Sequence, residues 1–104
     1  MGIEAAGGTG VRVCYLGLVR RAAGTSEERV RLDESATLGT LLYRLAERHG
    51  RAFRDHVFEG GELSRGSSIL IDGHNCRSLG GLDARLDGRS EVEVIVFGPP
   101  ANGG

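Results

Sequence analysis

Apolar and polar residues first alternate along this chain at Val11, Val13 and Tyr15, which are interleaved with Arg12, Cys14 and Leu16. A period of two is what a strand with unlike faces requires, so residues 11–16 are predicted as a strand. The same period returns at 27–32, where Val30 and Leu32 alternate with arginines. Between the two lies a stretch with Gly17, Gly24 and the basic pair Arg20-Arg21, which reads as the long turn of a hairpin. The period then changes. Leu38, Leu41, Leu42, Leu45 and Ala46 follow the i, i+3, i+4, i+7, i+8 spacing of one helix face. Thr37 suits the N-cap and Gly50 the position beyond the C-terminus, with Arg48 and His49 near the negative end of the helix dipole.

Phe53, Val57 and Phe58 fit a short helical turn that closes one end of a core, and 59–66 reads as a polar, glycine-rich loop. Residues 68–71 form the next predicted strand, and Asp72-Gly73-His74-Asn75 supplies turn chemistry before a short return strand. Leu79, Leu82 and Leu86 around Gly80-Gly81 predict a helical turn or compact loop. The last strand is predicted at 91–97. Val92, Val94 and Val96 share one of its faces, while Glu91, Glu93, Ile95 and Phe97 share the other, which turns apolar toward its end. A central strand covered on both sides accounts for that pattern, and so does an exposed patch awaiting a partner. Five strand-like segments around one main helix place the chain in the α+β class.

Composition narrows the reading. A chain of 104 residues holds one domain, and 39% hydrophobic residues with five aromatics imply a small, mostly aliphatic core. The net charge is −1 and the basic residues are dispersed, so nucleic acid is not an expected partner. No apolar run has the length of a membrane span, and residues 1–10 lack the pattern of a signal peptide, so the cytoplasm is the expected compartment. All 13 basic residues are Arg. No lysine is available to receive an isopeptide bond, form a Schiff base or serve a phosphate loop. Cys14, in an apolar run, is expected to be buried, and Cys76, after a turn, to be accessible; their separation signals neither a metal site nor a redox pair. His49, His56 and His74 are isolated in sequence and read as surface or helix-end residues, and no metal site is expected.

The domain organisation expected is a flexible leader at 1–10, a folded domain at 11–97 and an extended tail at 98–104. In the tail, Pro99-Pro100 fixes φ and withholds backbone donors, which ends the sheet and favours an extended exit. Seven extended residues reach roughly 23 Å, at about 3.3 Å each, enough to enter another protein's active site.

The element order, the stretches Ile71-Asp72-Gly73-His74-Asn75 and Leu79-Gly80-Gly81-Leu82-Asp83, and the ending Pro99-Pro100-Ala101-Asn102-Gly103-Gly104 together resemble the MoaD/ThiS family of small sulfur carriers. The resemblance covers residues 11–104 and implies a β-grasp, ubiquitin-like fold: a mixed sheet packed on one main helix. It implies that an E1-like adenylating enzyme of the MoeB/ThiF kind, using ATP, activates the carboxylate of Gly104. Sulfur from a persulfide donor then converts it to a thiocarboxylate. Pro99, Pro100, Ala101, Asn102 and Gly103 would insert with it into a MoaE-like large subunit or another sulfur acceptor, while Ile95 and Phe97 dock the body. The family commonly carries a small residue where Asn102 stands. The implied role is sulfur donation in molybdopterin synthesis, as the small subunit of molybdopterin synthase. The chain would bind no cofactor and have no catalytic activity alone. Its alternatives are another sulfur pathway (the thiamine thiazole, cysteine, tRNA thiolation) or a ubiquitin-like protein modifier conjugated through Gly104.

Overall fold

The computed structural model describes residues 9–97. Among them β1 (Thr9–Gly17) runs into α1 (Leu18–Ala23), β2 (Glu27–Leu32) follows, and α2 (Leu38–His49) and α3 (Arg51–Val57) come next. A small hairpin of β3 (Phe58–Glu59) and β4 (Glu62–Leu63) leads to β5 (Ser67–Ile71) and β6 (His74–Asn75). Two 3-10 turns, Cys76–Leu79 and Gly81–Asp83, precede β7 (Glu91–Val96).

Five strands form one sheet in the order β2-β1-β7-β5-β6. The last strand therefore lies in the middle, parallel to β1 and antiparallel to β5. Asp72 helps to start it: its backbone takes φ 50°, and its carboxylate accepts from the backbone N–H groups of Ser90 and Glu91. Val11, Val13 and Tyr15 of β1, Ile69 and Ile71 of β5, and Val92, Val94 and Val96 of β7 are buried together with Leu38, Leu41, Leu42 and Leu45 of α2 and with Phe53 and Val57 of α3. Each such side chain contributes roughly 1.5–3 kcal/mol on burial. The main helix is bounded as its caps require, since the Thr37 hydroxyl accepts from the Thr40 N–H and the Gly50 N–H donates to the Ala46 carbonyl. This is the α+β, β-grasp arrangement of a mixed sheet on one main helix.

Several expectations change. Thr9 and Gly10 pair with Leu32 and Arg31, so the first strand begins inside the stretch assigned to the leader, because β2 extends far enough to hold it. The turn expected between the first two strands contains α1, whose Val19 is buried in the core. The loop expected at 59–66 is instead taken up in part by the β3–β4 hairpin, which starts at Phe58 and is turned by Gly60 and Gly61 at positive φ. β7 ends at Val96, one residue short of the expected strand.

Candidate docking site at the end of the central strand

Helices cover only one face of β7. Val92, Val94 and Val96 are buried beneath them, whereas Glu91, Glu93 and Ile95 on the opposite face are only half-buried. The register sets Ile95 between Leu16 of β1 and Ser68 of β5. Leu16 is 43% exposed, Leu18 39%, and Phe97, just beyond the strand, 69%. Four large apolar side chains thus gather where β7 ends, and of the two expectations for this strand the exposed patch is the one found. Isolated exposed leucines are ordinary, whereas grouped exposed apolar side chains are a candidate contact surface.

Gly17 lets the elements close on one another here. Its φ of +81° belongs to glycine, and a Cβ at this position would lie 2.0 Å from the Val96 carbonyl oxygen and 3.6 Å from Cδ1 of Phe97. On the other side Gly66 approaches the Phe97 carbonyl, to which an added Cβ would be 3.7 Å away. Phe97 is therefore seated between the β1–α1 junction and the turn before β5. Of the two residues expected to dock a partner, Ile95 is half-buried on the open sheet face and Phe97 is exposed. Leu16 and Leu18 were missed in the sequence, although Leu16 shares the outward parity of Arg12 and Cys14. Pro99, Pro100, Ala101, Asn102, Gly103 and Gly104 lie outside the described residues, as do residues 1–8 of the leader.

The two thiols exchange places relative to expectation. Cys14 lies half-buried on the outer sheet face, its Sγ 3.3 Å from Oε2 of Glu91, because it has the opposite parity to Val13 and Tyr15. Cys76 is buried, since its 3-10 turn folds back under the sheet. Burial, reinforced at Cys14 by Glu91, raises both thiols above their ordinary range, so neither is primed as a thiolate nucleophile. His49 is not isolated either. Its Nε2 lies 2.6 Å from Glu28, whose carboxylate also accepts from Tyr15 Oη and Arg48. Burial opposes the charge on Glu28, but the hydrogen bonds from Tyr15 and His49 outweigh it and hold the carboxyl below its usual value. This cluster ties β1 and β2 to the end of α2 and faces the rings of Tyr15 and Phe53, which makes it structural. Among the described residues no group of three or more His, Cys, Asp or Glu could hold a metal ion, and no helix is long and apolar enough to cross a membrane.

Comparison with known proteins adds a family to this geometry. The sequence model of the ThiS family matches residues 13–104. No match was found among curated proteins. Among solved structures, the Haloferax volcanii HVO 2177 protein superposes with a TM-score of 0.76 at 23% identity, covering 90% of this chain and 88% of that one, a likeness of fold. The small archaeal modifier protein 1 (SAMP1) of Methanosarcina acetivorans is 28% identical with a TM-score of 0.72, over 86% of this chain and 94% of that one. A putative molybdopterin converting factor, subunit 1, from Pyrococcus furiosus is 27% identical with a TM-score of 0.67, over 86% and 99%.

Proposed function

Because the chain belongs to the ThiS family, whose members and structural relatives are sulfur carriers and ubiquitin-like modifiers, we propose that it carries sulfur on its C-terminal glycine for molybdopterin synthesis. The observation that carries this reading is the family match itself, which runs through the Gly103-Gly104 ending as well as the folded domain. The likeness to a molybdopterin converting factor favours that recipient over other sulfur acceptors. The apolar group around Phe97 supports the same reading, since it lies where the tail leaves the sheet.

The chemistry follows from the weakness of a carboxylate as an electrophile. An E1-like enzyme joins the Gly104 carboxylate to AMP from ATP, releasing pyrophosphate. Sulfide displaces AMP to give the thiocarboxylate directly; a persulfide displaces AMP to give an acyl disulfide, whose S–S bond a second thiol of the donor protein then cleaves, releasing the thiocarboxylate and leaving a disulfide on the donor. Gly103 and Gly104 carry no Cβ, so a narrow channel in the partner closes directly on their backbone. Pro99 and Pro100 keep the tail extended as it enters a MoaE-like large subunit. In this scheme acid and base groups belong to the partner. Cytoplasmic residence fits the need for ATP.

Intact-mass measurement of the protein isolated from its own cells tests the proposal. A species in which one oxygen at Gly104 is replaced by sulfur is expected. Only the carboxylate form under sulfur-replete conditions would sink it. The likeness to SAMP1 favours a second reading, conjugation to other proteins through Gly104, and a mass corresponding to an attached target would establish that instead. With no lysine in the sequence, such a modifier forms no lysine-linked chains on itself.

A further inference from the structure

The two edges of the sheet are unlike. β6 ends it on one side with two residues, whereas β2 ends it on the other with six. A free edge is a row of unpaired backbone groups, and a longer row is a better template for a further strand. The Tyr15 N–H donates to the Ser26 carbonyl, and the Arg12 N–H donates to the Ser90 carbonyl on the β7 side of β1. With the register of β1 on β2, these two bonds direct the backbone groups of Glu28, Val30 and Leu32 to β1 and those of Glu27, Arg29 and Arg31 away from the sheet.

Side chains of the same molecule occupy both ends of that outward row. The Thr25 hydroxyl donates to the Glu27 carbonyl at 3.0 Å and accepts from the Glu27 N–H at 3.4 Å. The Arg44 guanidinium reaches from α2 to the Arg31 carbonyl at 2.7 Å. One turn further along α2, Arg48 donates to Glu28, so successive turns of the helix hold the strand. Between these ends the outward groups of Arg29 have no partner among the described residues. An open concavity lined by Gly10, Arg29, Val30 and Arg31 lies beside them.

We propose that β2 is a strand-addition site for a second copy of this chain, held closed by Arg44 and Thr25. The order of residues along the row argues for a second copy. Antiparallel pairing of β2 with itself, centred on Arg29, brings the three outward residues of one copy against those of the other and sets Glu27 opposite Arg31 twice. The two Glu–Arg pairs offset the like charges of the central Arg29 pair. Glu27, Arg29 and Arg31 are all exposed, so the pairing requires no change in the core. It uses both β2 edges and therefore closes at the dimer. Arg44 is the clasp because its guanidinium lies where a backbone N–H of the second copy would have to donate to the Arg31 carbonyl.

This inference stands apart from the carrier reading, since it uses neither the tail nor the apolar group around Phe97. Sedimentation velocity of the full-length chain over about a hundredfold range of concentration tests it. Wild type is expected to stay a monomer. The variant carrying Arg44→Ala and Thr25→Val is expected to form a discrete dimer whose fraction rises with concentration. Adding Glu27→Arg to it is expected to raise the dimer dissociation constant about tenfold, and adding Arg31→Glu as well is expected to restore it. Should the unclasped variant not fold, Arg44→Met, which keeps the aliphatic stem and removes the donor, takes its place with the same expectation. A dimeric wild type would overturn the clasp. A folded unclasped variant that stays monomeric, grows beyond the dimer or is indifferent to the charge reversals would overturn the pairing.

Discussion

At Gly17 the chain leaves β1 and enters α1 with backbone angles φ 81° and ψ −144°, a region that L side chains rarely occupy. Its missing side chain also makes room for the Val96 carbonyl. Gly17→Ala is therefore expected to cost more than about 2 kcal/mol, read as a fall in the urea midpoint, because strain and overlap act together. An undiminished midpoint would show that the junction can move apart. Glu28 makes a different kind of demand. Its folded pKa lies below the unfolded value of about 4.3, so its contribution is fully present above that pH and is lost as pH falls through the folded pKa. Glu28→Gln is expected to destabilise by about 1–3 kcal/mol at neutral pH, with the gap to wild type closing on acidification. A gap constant with pH would remove the charge from the explanation. Neither position announces its role in sequence. Gly17 is one of 18 glycines, and Glu28 looks like any acid on an amphipathic strand until Tyr15, Arg48 and His49 converge on it.

The elements differ in how far their boundaries depend on nearby residues. α2 is the most local: its apolar spacing, the Thr37 cap and Gly50 all lie within or beside it, and the observed helix matches the expected limits. Thr37→Ala is expected to cost about 1 kcal/mol and Leu41→Ala about 2–5 kcal/mol in urea denaturation, since one loses a cap and the other opens a cavity under the sheet. A cost for Leu41→Ala as small as that of the cap would mean that the helix packs more loosely than its full burial implies. α1 is the reverse case. Its six residues, Leu18–Ala23, are too few for a clear helical period, and the turn is held in helical form by burial of Val19 and by the Gly24 N–H returning to the Arg20 carbonyl. The β3–β4 hairpin is shorter still, two residues a side, and a strand of that length has no alternation to detect. β7 was visible as a strand from its valines, yet the exposure of its other face depended on which elements the fold placed above it.

For the molecule as a whole, the decisive feature is that the last strand is central while helices lie on one side only. Parallel pairing of β1 with β7 joins segments about eighty residues apart and brings Leu16, Gly17 and Leu18 to the place where Phe97 leaves the sheet. In the proposed scheme the folded body and the tail have separable functions. One alanine added after Gly104 is expected to leave the unfolding midpoint unchanged and to abolish sulfur transfer, because the reacting carbonyl moves along the partner's channel. Retained transfer by that variant would sink tail threading. By itself the sequence determined the limits of the main helix, the parity of the long strands and the Pro-Pro…Gly-Gly ending, because caps, periodicity and backbone restriction act over a few neighbouring residues. Only the tertiary structure decided that Cys14 lies on the open face and Cys76 within, that His49 meets Glu28, and that Leu16 and Leu18 join Ile95 and Phe97. Those outcomes depend on strand order and on which sheet face is covered, which are settled by burial between segments far apart in the chain.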